Sequence, residues 1–81
     1  MDTATPEELN IALMAELRAE MAAQGLSASA LAEKTGISRP SLMRYLGGHR
    51  QMSVVTLLDI LRVLGVDNIE FMSRVTRRAD R

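Results

Sequence analysis

The chain has 81 residues, ten basic and ten acidic side chains, and no cysteine. This length suits one compact domain, and a chain without cysteine has no disulfide, no thiolate nucleophile and no cysteine-ligated zinc. Hydrophobic residues make up 47% of the chain but aromatic residues only 2%, so the core must consist of aliphatic side chains. Such a core favours packed helices over sheets, and we predict an all-α fold of five helices.

The first predicted helix begins near Pro6. Thr5 supplies an N-cap hydroxyl, proline occupies the first helical position, and Glu8 follows three residues after the cap, which together are typical of a helix start. Gly25 then marks the end of this helix. The helix carries an apolar stripe of Leu9, Leu13, Leu17 and Met21. A second apolar patch beside it, formed by Ile11, Met14 and Ala15, offers a surface for a partner.

Two short helices follow, separated by a turn. Ser27 is the predicted N-cap of the second helix, and Gly36 lies where the chain must turn sharply. Ser38 is the predicted cap of the third helix, which tolerates Pro40 because amides of the first turn have no intrahelical acceptor to lose. The pattern predicts a helix-turn-helix over residues 26–48.

The fourth and fifth helices are more apolar. Ser53 caps the fourth, which runs to Gly65 with leucines at helical spacing: Leu57, Leu58, Leu61 and Leu64. Asp67 and Glu70 form a predicted capping box for the fifth, and a frayed basic tail is expected over residues 77–81. The fifth helix has more apolar residues than one face can bury, so we predict a dimer or partner surface at Ile69, Phe71, Met72 and Val75. For this patch and for the one on the first helix, the alternative is a broad stripe that faces the core.

Charge is segregated along the chain although its sum is zero. Residues 1–33 carry six acidic side chains against Arg18, whereas residues 34–50 carry no acidic side chain. The basic residues of this second segment are Lys34, Arg39, Arg44 and Arg50. A short helix, a glycine turn and a second helix with basic residues form the geometry that presents a recognition helix to the DNA major groove.

The segments Leu26 to Arg50 and Leu57 to Val66 resemble the lambda-repressor and Cro-like, or xenobiotic response element, helix-turn-helix family. The resemblance implies a five-helix DNA-binding fold in which helices 2 and 3 form the helix-turn-helix. It implies base contacts at Arg39, Pro40, Met43 and Arg44. An arginine fork matches the acceptors of guanine, although solvated surface arginines are the simpler alternative.

Contacts with the DNA backbone are expected around the recognition helix, where they would fix its register without reading sequence. We assign them to Ser27, Lys34, Ser38, Ser41, His49 and Arg50, with plain solvation as the alternative for the charged members.

The chain departs from the family at two places. Ala28 stands where a glutamine that touches DNA is usual, which removes one expected contact. Met21 and Leu46 stand where many members pair an arginine with a glutamate. A buried ion pair can be exchanged for apolar residues at little cost when both charges disappear together, so we predict that Met21 and Leu46 touch.

Several functions are disfavoured. His49 is the only histidine and lacks partners for a metal site or a catalytic dyad, so we expect no enzyme activity, catalytic residue, metal or cofactor. The apolar stretch Met52 to Val66 is shorter than the roughly 20 residues of a membrane-spanning helix. The N-terminus does not resemble a signal peptide, and we expect a cytoplasmic protein.

Three functions remain open at this stage. The first is a homodimeric repressor of a palindromic operator, with two recognition helices roughly 34 Å apart on double-stranded DNA. The second is an antitoxin that binds a protein partner through helix 1, which is long and acidic, or through helix 5, and autoregulates its operon. The third is the DNA-binding portion of a longer regulator.

Overall fold

The computed structural model describes residues 3–80, and these form five α-helices without a strand. The helices are α1 (Pro6–Ala23), α2 (Ala28–Thr35), α3 (Arg39–Leu46), α4 (Val54–Leu64) and α5 (Asn68–Ala79). This architecture confirms the predicted all-α class and the number of helices. Because α5 continues to Ala79, most of the expected frayed tail is helical, and Arg81 lies outside the described residues, as does the acidic Asp2.

Each helix begins at a side-chain cap. At α1 the Thr5 hydroxyl accepts the Glu8 amide at 3.1 Å, and the Glu8 carboxylate accepts the Thr5 amide at 2.8 Å. The Thr5 backbone amide, followed by its hydroxyl, holds the pKa of Glu8 below its ordinary value. Asp67 caps α5 by accepting the Glu70 amide at 2.9 Å. The Glu70 carboxylate, however, lies 3.6 Å from Arg74, so only one half of the predicted capping box forms.

The hydrophobic core draws on all five helices. Its largest fully buried side chains are Phe71, Leu17, Leu31, Leu42, Ile60 and Leu61. They belong to one cluster of buried residues, and α1 makes its most extensive packing with α5. The helix-turn-helix is therefore built on the same core as the terminal helices.

The predicted partner surface on α5 is corrected by this packing. Phe71 and Val75 are 0% and 5% exposed in the monomer, because they belong to the buried core cluster, and they are not available to a partner. Ile69 is 83% exposed and Met72 is half-buried. The patch predicted on α1 is also corrected, since Met14 is buried while Ile11 remains exposed.

The buried face of α1 turns along its length. Leu17 and Met21 are buried, Leu13 is partly buried, and Leu9 is exposed. A helix turns about 100° per residue, so residues spaced by four drift roughly 40° at each step. The predicted stripe therefore leaves the core toward the N-terminus, where Ala12 and Met14 replace it.

An ion-pair network joins α1 to α5. Glu16, which is buried, lies 3.2 Å from Arg74 and 3.1 Å from Arg78, and Glu20 lies 3.2 Å from Arg74. The Arg74 Nε atom is buried without an aligned hydrogen bond, so its contact with Glu16 is one of charge more than of hydrogen bonding. Two of the four acidic residues of α1, Glu16 and Glu20, are thus neutralised within the molecule.

Glu16→Gln is expected to lower the free energy of unfolding by about 1–2 kcal/mol, because it leaves two arginines without their shared carboxylate. The cost stays below that of a fully buried pair because the Arg74 and Arg78 side chains are 30% and 43% exposed. Urea denaturation measures it. Glu20→Gln, which removes a carboxylate near one arginine, is the matched control, and an equal loss in both variants would contradict the shared-carboxylate role.

Candidate nucleic-acid interface

The turn between α2 and α3 sets the angle of the helix-turn-helix. Gly36 ends α2 with a φ of 78°, a left-handed conformation that a side chain would strain. The Thr35 hydroxyl donates to the Leu31 carbonyl at 2.8 Å and accepts the Ile37 amide at 3.3 Å. Leu42 of α3 is fully buried, so the turn and the core together fix the orientation of α3.

One side of α3 is open to solvent. Leu42 and Leu46 form its buried side, and the exposed residues are Arg39, Pro40, Met43 and Arg44. At about 100° per residue these four occupy an arc of roughly 140°. The four residues predicted to contact bases therefore share the accessible face of a helix, and a helix is an element that the major groove admits.

The basic residues around this face are not neutralised by neighbours. Within residues 3–80, no carboxylate lies within 4.0 Å of any of Lys34, Arg39, Arg44 and Arg50. Arg62, Arg74 and Arg78, in contrast, each pair with a carboxylate. Zero net charge thus coexists with a local positive surface, which a polyanion requires.

The serines assigned to the DNA backbone also cap helices. The Ser27 hydroxyl accepts the Ala30 amide at 3.1 Å. The Ser38 hydroxyl accepts the Ser41 amide at 3.2 Å and donates to the Ser41 hydroxyl at 2.9 Å. These bonds give the serines a structural role, and their contacts with phosphate remain predictions.

His49 and Arg50 follow α3 and fold back toward it. A Cβ atom at Gly47 would lie 3.0 Å from the His49 ring, so glycine leaves room for that ring. The Arg50 guanidinium carbon lies 5.7 Å from the centroid of the Tyr45 ring, within the range of a cation–π contact. Both side chains are exposed beside the recognition helix, at the position where phosphate contacts are expected.

Arg18 is a residue of this region that the sequence analysis missed. Its Nη1 atom donates to the Leu46 carbonyl at the C-terminus of α3, at 2.5 Å. A cation is favourable there, since the last carbonyls of a helix lack intrahelical partners. The one sequence feature that singled out Arg18 is that it is the only basic residue among six acidic residues in segment 1–33. Met21 and Leu46 are both buried and line one groove beside it, and their direct contact stays a prediction.

Arg18→Ala is expected to lower the free energy of unfolding by about 1–2 kcal/mol, because the Leu46 carbonyl loses a charged donor. Thermal denaturation followed by circular dichroism measures the loss. Arg77→Ala, at an exposed arginine of α5, is the control and should be nearly neutral. Similar melting curves for the two variants would refute a specific tether between α1 and α3.

Comparison with known proteins supports the geometry. A family model described as "Helix-turn-helix domain" matches residues 12–71, from within α1 to Phe71 in α5. Comparison with curated proteins and with solved structures gives no significant match. Within residues 3–80, no helix is long and apolar enough to cross a membrane. Since the match covers about three quarters of the chain, the protein belongs to the helix-turn-helix domain family of DNA-binding proteins.

Proposed function

We propose that this protein is a Cro-like transcription repressor that binds a palindromic operator as a homodimer. Arg39, Pro40, Met43 and Arg44 contact base edges in the major groove. The observation that carries the proposal is the exposed face of α3, where two arginines flank two apolar side chains and pair with no carboxylate of residues 3–80. Arginine in the major groove favours guanine, whose O6 and N7 atoms accept its planar donor fork.

The DNA backbone is held by residues that surround α3. Lys34, His49 and Arg50 supply positive or titratable groups, and Ser27, Ser38 and Ser41 lie in or next to the first turns of α2 and α3. Amide groups at the start of a helix carry partial positive charge and favour phosphate. These contacts set the register of the dimer and add a salt-dependent part to its affinity.

The dimer interface is proposed on the exposed apolar surface of α4 and the start of α5. Val54, Val55 and Ile69 are 71%, 75% and 83% exposed, and Leu58 is 41% exposed. A second copy that covers these side chains removes them from water, which favours association. Ile69 and Met72 keep their predicted role in this proposal, whereas Phe71 and Val75 serve the core.

The antitoxin alternative loses part of its main sequence argument. This argument was the acidic α1 as a surface for a basic partner, and Glu16 and Glu20, two of the four acidic residues of α1, pair with Arg74 and Arg78 inside the molecule. No other observation favours a protein partner over DNA, and the repressor is the one function proposed here.

Selection of bound sequences from random duplex DNA tests this function. The expected result is a palindrome with half-sites about one helical turn apart, bound by a dimer in analytical ultracentrifugation. Ile69→Asp should fold, because this side chain is exposed, yet form less dimer and bind the palindrome more weakly. Absence of enrichment would refute sequence-specific binding, and a single site bound by a monomer would refute the dimer.

A further inference from the structure

An apolar groove opens beside the exposed face of α3. It has a volume of about 510 Å³ and lies between the C-terminal half of α1, the start of α2, and α3. Its walls include Met21, Leu26, Ala28 and Leu46, and Met43 forms its edge toward α3. Apart from Arg18, every residue that lines it is apolar or glycine, so the groove offers an apolar contact surface next to the basic residues.

Met43 links this groove to the DNA-facing side of α3. It lines the groove and is also 47% exposed, so part of its side chain rests on the groove while another part faces solvent. Arg44 is its neighbour in sequence, and Arg39 lies one helical turn before it. An unbranched thioether side chain adapts to the shape of the group it meets. Met43 therefore places an apolar side chain between the cationic side chains of Arg39 and Arg44.

The chemistry of DNA indicates which chemical group binds at this surface. Basic residues beside the groove favour a polyanion, and within the described part of the chain none of those on or next to α3 has a carboxylate within 4.0 Å. In the major groove of unmodified DNA, one base substituent is an apolar group, the C5 methyl of thymine. Ala28, at the start of α2, lines the same groove with a small side chain that leaves room there.

We propose that Met43, supported by the groove at Ala28, reads the C5 methyl group of a thymine within each half-site. This inference rests on the proposed function and adds a base to it, since the arginines favour guanine and Met43 favours an adjacent thymine. Reading depends on the methyl group itself, so deoxyuridine, which pairs like thymidine but lacks that group, is the discriminating probe.

The test replaces each thymidine of the selected DNA site by deoxyuridine, one position at a time and symmetrically in both half-sites, and measures Kd. At one position per half-site the wild type should lose about fourfold in affinity for each methyl group removed, the factor expected for one buried methyl. For Met43→Gln the two DNAs should bind equally at that position. Ile11→Gln introduces glutamine at an exposed apolar residue of α1 and serves as the control. This variant should keep the wild-type preference for thymidine over deoxyuridine.

The outcomes separate the inference from the proposed function. If the wild type selects a site but tolerates deoxyuridine everywhere, the methyl reading is wrong and the repressor function stands. If deoxyuridine weakens binding equally in wild type and Met43→Gln, another residue reads the methyl group and the assignment to Met43 is wrong. If no DNA sequence is selected, the proposed function itself fails. A melting curve for Met43→Gln close to that of the wild type ensures that binding, not folding, is compared.

Discussion

Phe71→Ala is expected to lower the free energy of unfolding by about 3–5 kcal/mol, the loss typical of removing a buried aromatic side chain. Phe71 is the largest fully buried side chain and is 0% exposed. For 81 residues the total stability is of the order of 4–12 kcal/mol, so this single change removes a large part of it. Urea denaturation followed by circular dichroism gives the value.

Ile69→Ala is the matched comparison for Phe71→Ala, because both residues are apolar and lie in the first turns of α5 while Ile69 is 83% exposed. Its effect on a dilute, monomeric sample should stay within about 0.5 kcal/mol. Phe71→Leu keeps most of the buried volume and should fall between the two. If Phe71→Ala lowers the free energy of unfolding of a monomeric sample only slightly, Phe71 does not anchor the core. Its predicted role in a dimer would then have to be considered again.

Arg39→Ala and Arg44→Ala are each expected to cost about 1–3 kcal/mol of binding free energy per half-site and to relax sequence preference at particular positions. The reason is that each arginine is exposed on α3 and no carboxylate of residues 3–80 lies within 4.0 Å of it, so its fork is available to a base. Neither substitution removes a buried group, and both variants should fold normally. Binding to the selected DNA site and to single-base variants of it measures both effects.

Lys34→Ala serves as the control for the arginines. If Lys34 binds a phosphate, its removal should weaken binding uniformly on every DNA sequence and lower the slope of the salt dependence by about one ion per half-site. If Arg39→Ala and Arg44→Ala behave in the same way as Lys34→Ala, the arginines contact phosphates and do not read bases. If all three variants bind as tightly as the wild type, α3 is not the recognition helix.

The helices of this protein are predictable because their ends are encoded locally. Thr5, Ser27, Ser38 and Ser53 each precede a helix and cap it through an amide three residues later. Such caps depend on near neighbours in sequence, so the pattern predicts helix starts without knowledge of the tertiary structure. The exposed arc on α3 was likewise predictable, since Leu42 and Leu46 mark its buried side.

The packing between distant helices was less predictable. In α5 the apolar residues Ile69, Phe71, Met72 and Val75 occur too close together for one face, and the sequence alone does not say which of them α1 covers. In the packed structure, α5 also brings Arg74 and Arg78 to Glu16, more than 50 residues away in the chain. The same long-range pairing engages Glu16 and Glu20, two of the four acidic residues for which α1 was considered as a partner surface.

The position of α1 between α3 and α5 couples the partial unfolding of these helices. Arg18 of α1 binds the end of α3, and two turns of the same helix around Glu16 and Glu20 bind α5. Detaching α5 would therefore unsettle α1 and, through Arg18, α3. In hydrogen exchange, amides of α3 and α5 should lose protection together, and a chain cut after Val66 should lose DNA binding along with its C-terminal helix.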